Sequence, residues 1–523
     1  MRLLATRLNT LWALLATIGL ATTRASAQGG CRTHLVAFEG AGELRRRADE
    51  LTRGVWADAG VLRTSVTCRA DSTARRLAVG IVAPELRFVQ SGGVPDSRND
   101  GALWAGRGTS ALLRTGLTLD WSLLHVALVP EVWTSQNRPF DLLPGTDSSR
   151  VSLASPFYVG RNSLDLPSRM GRARVSEFSL GQSAVWLEAK SVALGVSSGN
   201  LWWGAGVRDA LFIGSNAAGI PRLFARTTVP IVTPVGRWSA EYFFGYLTES
   251  RFFDRDPTNN RRSISAAALA WSPPSSDDFV LGLARGVIRH SPDSTVRIGR
   301  TMADVLYPAQ SGTVDQLLTL FTRVAFPHSG LRAYAELARA TPIALRDLLT
   351  VPNEGLAYQV GVERLVRGRR ADWLLHAEAM NLEQGISVAE RPGHDLYTGI
   401  ATPQGWTQRG QLLGAGIGPG GQSQWVAIDR LTSRWSIGMY GERVRWNNDA
   451  LYREYLAYPN RHDVSLRAGL RAGTRGFGYD ALLDVSWGRR INYLFQNATY
   501  LPGYRTVDVT IPQLRFSLSP RGR

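Results

Sequence analysis

From about residue 80 to its end the chain alternates apolar and polar side chains with a period of two, and that period specifies strands. Phe477, Tyr479, Ala481, Leu483, Val485 and Trp487 alternate with Gly478, Asp480, Leu482, Asp484 and Ser486. Val464, Leu466, Ala468 and Leu470 alternate with Asp463, Ser465, Arg467 and Gly469. Trp238, Ala240, Tyr242, Phe244 and Tyr246 form a third such face, and Leu331, Ala333, Ala335 and Leu337 a fourth. In the first example aromatics stand at both ends with small aliphatics between them, the profile of a lipid-facing band with a girdle at each interface. The 16 tryptophans of the chain fit that account. Period-two segments recur about eighteen times between Ile81 and Leu518, the last being Gln513–Leu518. Hydrocarbon offers no partner to an open sheet edge, so such strands must close on themselves. The fold class expected is all-β, a transmembrane antiparallel β-barrel of about 18 strands; a secreted all-β repeat protein is the alternative.

Composition removes other classes. A mean hydropathy of −0.11 is too polar for a helical membrane protein. The one long apolar run, Leu11–Leu20, is shorter than the roughly 18 residues of a spanning helix. It sits instead between a basic Met1–Arg7 and the small-x-small site Ala25-Ser26-Ala27, which reads as an export signal over residues 1–27 with a mature start at Gln28. Residues 28–80 are expected to form an N-terminal periplasmic helical or plug segment, and 81–523 the outer-membrane barrel with long loops. Within the former, Leu44, Ala48, Leu51 and Val55 share one face of a helix predicted over 40–60, with Arg45, Arg46 and Glu50 turned away. Cys31 and Cys68, in a compartment that permits disulfides, are expected to be bridged. The rivals are a lipidated Cys31, for which Gln28-Gly29-Gly30 is a poor lipobox, and two free thiols.

Residues 134–177, 198–235, 290–314 and 384–407 are too long for hairpin turns, and are expected to be extracellular loops or lumen-filling segments. Motifs for catalysis are weak. Gly195-Val196-Ser197-Ser198-Gly199 matches a nucleophile elbow, but it runs into Asn200-Leu201-Trp202-Trp203 without the helix that elbow needs. Gly416, Gly418 and Gly421 match a dinucleotide fingerprint interrupted by Pro419, which reads as a turn. The seven histidines show no ligand spacing, so no metal site and no cofactor are expected. His376 and Glu378 fall on one strand face and could pair in the lumen.

One segment stands apart: Trp202-Trp203-Gly204-Ala205-Gly206, then Ser215-Asn216-Ala217-Ala218, then Pro221-Arg222-Leu223. It resembles the signature stretch of the Wzi-like outer-membrane capsule-assembly proteins, with Ala205 in place of the usual proline and Ala217 in place of the second asparagine. Asn99–Gly108 and Gly405–Gly414, continuing to Gly418-Pro419-Gly420, resemble two further stretches of that family in the same order. The resemblance spans roughly residues 80–518. It implies an eighteen-stranded barrel closed toward the periplasm by helices, and a lectin-like role in anchoring capsular polysaccharide.

Binding an acidic polysaccharide calls for aromatic faces, amides and arginine forks. Trp202, Trp203, Arg208, Asn216, Arg222 and Arg226 supply these in the central loop, with Trp406 and Arg409 in the third stretch. Connectors nearby add Arg161, Arg169, Arg172, Arg174, Arg251, Arg255, Arg261 and Arg262. Of the 60 basic residues only Lys190 is a lysine, and removing residues 1–27 takes the formal charge from +17 to +14, enough to draw an anionic polymer. The competing account of Trp202-Trp203 is a loop packed inside the lumen, and that of the arginines is pairing with lumenal acids or with lipopolysaccharide phosphates. The expected function is non-enzymatic binding and anchoring of capsular or other surface polysaccharide. A porin-type diffusion channel and an outer-membrane lipid or sugar hydrolase are the alternatives. Expected partners are acidic surface polysaccharide, outer-membrane lipid and lipopolysaccharide, and polysaccharide export machinery, but no nucleic acid.

Overall fold

The computed structural model describes residues 31–36, 38–54, 61–70, 77–140, 142, 163–254, 256–291, 295–307, 312–340, 355–384, 395–454, 461–495 and 508–520; the export-signal candidate, Val55, Arg161, Arg255 and His394 lie outside the described residues. Eighteen antiparallel strands close into one barrel, sealed where Gln513–Pro520 pairs with Leu77–Ser91 with Phe516 opposite Phe88. Four strands are each broken once, as where Leu124–Leu128 and Glu131–Ser135 both pair with Gly108–Trp121. Alternation sorts the two faces as the sequence requires. On Asp463–Gly476, Leu466 and Leu470 are exposed outward, while Arg467 and Arg471 turn into the lumen. Tight turns such as Lys190, Pro327–Gly330 and Thr432–Arg434 join the strands at one end, and long connectors join them at the other. Short turns mark the periplasmic end of an outer-membrane barrel and long loops the extracellular end.

No helix among the described residues is long and apolar enough to cross a membrane. The N-terminal helix runs from Ala41 to Arg53 and ends on Gly54 in a left-handed conformation. Leu44, Ala48 and Leu51 pack against Ala325, Leu365, Leu374 and Leu431 from the inner wall. Arg45 and Glu50 do not reach water as the periodicity suggested, because that side of the helix lies against the wall of the barrel mouth; Asp49, Thr52 and Arg53 stay exposed. Arg45 donates to Thr432 O at 2.5 Å, Glu50 meets Arg332 at 3.0 Å, and Arg47 meets Glu363 at 2.6 Å. Before and after this helix, Cys31–Leu35 pairs with Val66–Ala70, and a disulfide joins Cys31 to Cys68 with their Cα atoms 5.6 Å apart.

Two connectors behave differently from expectation. Arg222–Thr227 and Ile231–Thr233 are barrel wall, not loop, because Arg222, Phe224 and Arg226 turn inward while Leu223 faces out. The helix Thr295–Ala303, in the 290–314 connector, lies on the outside of the barrel. Ser263 and Ser265 share the outward face with Leu269 yet are 0% exposed. Ser265 and Tyr242 both donate to Met302 O, Arg285 donates to Val305 O, and Arg289 pairs with Asp304 at 2.7 Å. This cover satisfies polar side chains that would otherwise face hydrocarbon.

Candidate functional site

The three motif stretches, far apart in sequence, meet inside the extracellular half of the lumen. Asn216 is where they join. Its Oδ1 accepts from Asn99 N at 2.7 Å, and its Nδ2 donates to Gly414 O at 2.5 Å. Gly101 N donates to Ser215 O and Gly214 N to Leu413 O, both at 2.7 Å. The inner wall holds this assembly by carboxylates that accept backbone N–H groups. Glu336 takes Gly206 N at 2.6 Å and Leu211 N at 2.9 Å, and Glu378 takes Val207 N and Arg208 N at 3.2 and 3.1 Å. Asp315 does the same for Ile400, Ala401 and Thr402. The glycines of the central motif follow from this closeness. A Cβ on Gly204 would stand 2.3 Å from Glu336 Oε1, and one on Gly206 2.0 Å from Asp209 O. His376 and Glu378 lie 3.8 Å apart, bridged by the Tyr334 hydroxyl, which donates to Glu378 at 2.5 Å.

Most of the residues singled out in the sequence are buried with internal partners. Leu201–Trp203 forms a short sheet with Leu62–Thr64, placing Trp202 opposite Arg63. Trp202 packs on Phe38 and donates to Gly206 O; Trp203 stacks on Phe212 with centroids 5.5 Å apart and donates to Glu241. Trp406 donates to Phe212 O at 2.8 Å and meets the Phe212 ring edge-on. Arg222 donates to Gly199 O at 2.6 Å and Arg226 to Val66 O at 3.3 Å. Arg208 lies 4.2 Å over the Trp425 ring with its side chain 28% exposed, and Arg409, 43% exposed, reaches Glu177 at 3.5 Å. Of the connector arginines, Arg169 and Arg262 are buried on backbone carbonyls, and Arg172, Arg174, Arg251 and Arg261 are exposed.

No protein-family model and no characterised sequence matches the chain. Among solved structures it is similar to Wzi of Escherichia coli, described as an outer-membrane carbohydrate-binding β-barrel involved in group 1 capsule assembly. The likeness has a TM-score of 0.56 at 12% identity over 84% of this chain and 85% of that one. The fold is that of Wzi. Pseudomonas aeruginosa OccK7 gives 0.41 at 10% identity over 85% of this chain and 98% of that one. OprD of the same organism gives 0.39 at 9% over 84% and 94%.

On this Wzi-type frame the joined loops divide the interior in two. On the extracellular side a cavity of about 180 Å³ is lined by Trp104, Trp446 and Tyr493 with Arg98, Arg490, Asn447 and Gln411. Two guanidiniums approach the Trp446 ring, Arg490 at 4.7 Å and Arg98 at 5.7 Å, and Arg490 also covers Tyr493 at 4.8 Å. Toward the periplasm a second cavity of about 150 Å³ is rich in arginine: Arg47, Arg87, Arg208, Arg467, Arg471 and Arg515. Asp96 and Arg98 line both cavities and form the partition, with Arg98 on Asp96 at 2.8 Å and on Glu442 at 2.6 Å. Burial works to raise the Asp96 carboxyl, but Arg98 and Arg467 outweigh it and hold the group well below the usual range. Asp209, beneath the same loops, is pushed up to about 6 by burial despite Arg98 and the N–H of Gly416.

Sequence reasoning passed over Trp446, Tyr493, Arg490 and Arg98. The signal for the first was Trp446-Asn447-Asn448, an aromatic and two amides where an alternating strand ends. Ser197 ends its strand with its hydroxyl donating to Ser183 O at 3.2 Å and accepting Gly199 N at 3.0 Å. Cys31, Cys68, His125 and Glu188 bring ligand-type atoms within 4.8 Å of one another, a grouping invisible to spacing rules, but the two sulfurs are bonded to each other.

Proposed function

We propose that this protein binds acidic surface polysaccharide at its extracellular end and holds it on the cell, without catalysing a reaction. The observation that carries the reading is the extracellular cavity. Trp104, Trp446 and Tyr493 supply faces for the C–H surfaces of sugar rings, and Asn447 and Gln411 supply amides for hydroxyls; Arg98 and Arg490 are engaged by Asp96, Glu442 and Asp463, so positive charge for carboxylates comes from the exposed connector arginines Arg172, Arg174, Arg251 and Arg261. The site lies above a lumen filled by the loops around Trp202, Trp203, Phe212 and Trp406, so a polymer bound there is held at the mouth rather than passed through. The carbohydrate binding described for Wzi supports the same reading. The signal at residues 1–27 serves export to the outer membrane, and export machinery delivers the polymer.

The test has two readouts. Purified protein is titrated with oligogalacturonate and with a neutral glucan of equal length while tryptophan fluorescence is followed. Trp446→Ala is expected to weaken uronate binding by about tenfold or more, as for a central aromatic contact. In cells, loss of the protein is expected to shift polysaccharide from the cell surface to the medium without reducing its synthesis. Equal and feeble binding of both sugars, together with polymer that stays cell-bound, would overturn the reading.

A further inference from the structure

Three lumen-facing arginines near the short-turn end are matched by acids: Arg332 by Glu363 and Glu50, Arg471 by Asp429, Arg475 by Asp480. One sector of the outer face at that end is different. On Leu356–Val366 the exposed, outward residues are Tyr358, Val360, Val362 and then Arg364, which stands opposite Leu331 on one neighbour and Leu375 on the other. On Gln422–Leu431 the outward residues are Gln424, Val426, Ile428 and then Arg430, opposite Trp373 and Ile437. Both guanidiniums therefore belong to the lipid-facing surface. Among the described residues neither has a carboxylate partner. Arg430 lies 4.8 Å over the ring of Trp435, and Trp373 and Trp435 are exposed at the girdle. The adjoining turns add Arg369, Arg370 and Arg434, all exposed. Asp372, the acid in that turn, is engaged by Gly368 N.

We propose that this sector, Arg364 and Arg430 on either side of Trp373, binds the phosphodiester of an anionic glycerophospholipid in the periplasmic leaflet. Three physical facts point there. Arg364 and Arg430 flank a single strand, opposite Leu375 and Trp373, so two strand spacings and a two-residue offset put their Cα atoms about 12 Å apart, a gap that two long side chains close on one phosphate. Guanidinium forks match phosphate oxygens, and the reduced dielectric at the interface strengthens that pairing. The tryptophans fix the level of this surface at the headgroups, and the short turns place it on the periplasmic side. An outward arginine without an acid partner in this position has its counter-charge in the membrane. The inference stands apart from the polysaccharide reading, since it uses the opposite end and the opposite face of the barrel.

The experiment uses full-length protein in a neutral maltoside detergent with about 150 mM salt, so that loose surface electrostatics are screened. Phosphatidylglycerol, phosphatidylcholine or lipopolysaccharide is added, and native mass spectrometry counts lipids that remain bound. Phosphatidylglycerol is expected to be retained over phosphatidylcholine, and the pair R364Q/R430Q to lower that retention by about fivefold or more. Arg489→Gln, an outward arginine at the other end, is expected to leave it unchanged. R364K/R430K keeps both charges without the fork and gives intermediate retention, which covers the case in which the glutamine pair does not fold. Equal retention of the two glycerophospholipids, or phosphatidylglycerol retention indifferent to both pairs, overturns the proposal. So does lipopolysaccharide as the only lipid lost on substitution, which would assign the sector to the other leaflet.

Discussion

Asn216 Oδ1 accepts the backbone N–H of Asn99 at 2.7 Å across 117 residues of chain, and this bond fastens the first lumenal loop to the second. Asn99 adopts φ 58°, a left-handed conformation that asparagine tolerates and that aims its N–H at Asn216. The same side chain reaches Gly414 in the third loop. Asn216→Ala leaves Asn99 N–H and Gly414 C=O buried without this partner, at a cost of about 2–4 kcal/mol. The expected result is faster protease cleavage and hydrogen exchange in all three loops, while the barrel keeps its heat-modifiable mobility on gels. Cleavage confined to one loop would show that the three do not move together.

Gly286 faces inward beneath the aromatic cluster, where a Cβ would stand 2.6 Å from Trp406 and 2.8 Å from Phe212. Gly286→Ala is expected to lower resistance to denaturant by about 1–3 kcal/mol through overpacking. Urea titration followed by tryptophan emission measures it.

Asp209 carries a pH dependence with a definite sign. Its folded value is pushed up to about 6, above the ordinary 3.8, by burial against the pull of Arg98. The folded protein therefore holds this proton where the unfolded chain has lost it. Stability from this group is fully present below about pH 4 and is lost as pH rises toward about 6. Asp209→Asn keeps an oxygen for Gly416 N–H and removes the charge. It is expected to stabilise the protein at pH 7 by about 1–3 kcal/mol and to flatten the unfolding midpoint between pH 4 and 6. An unchanged slope over that interval means that water reaches the carboxyl.

Cys31 and Cys68 close a loop with a sequence separation of 37 that contains the lumenal helix. In the chain-entropy account such a crosslink contributes roughly 3–4 kcal/mol. C31S/C68S is expected to make the segment before Leu77 sensitive to protease while the strands stay protected. Mass spectrometry of the fragments separates the two, and equal sensitivity in wild type and variant removes the disulfide as the fastener.

The filled lumen makes a further prediction. Wild-type protein in a planar bilayer is expected to show little steady conductance. E336L/E378L, which deletes the acceptors for Gly206, Val207, Arg208 and Leu211, is expected to admit more frequent openings. A large steady wild-type current is incompatible with loops seated this way, and favours a diffusion channel.

The strand period, the girdle aromatics and the lipid face were legible because alternation is a local property. Every second residue of Tyr479–Ile491 faces lipid whatever the rest of the chain does. The closed barrel followed, since hydrocarbon forbids an open edge. The motif stretches were also legible as unusual segments, but their roles were not. Trp202 and Trp203 read from the sequence either as sugar platforms or as a loop packed inside the lumen, and the tertiary structure favours the second by sealing them against Phe38, Arg63, Phe212 and Phe243. Likewise Arg45 and Glu50 on the helix at Ala41–Arg53 read as facing water, because periodicity reports amphipathicity and not what lies opposite; here it is a wall of acids and arginines. Burial and cavity shape depend on contacts between residues hundreds of positions apart, as for Arg98 and Glu442, separated by 344. The sequence by itself determined which face of each strand meets lipid. The tertiary structure decided which polar residues are occupied by one another and which are left to meet a ligand.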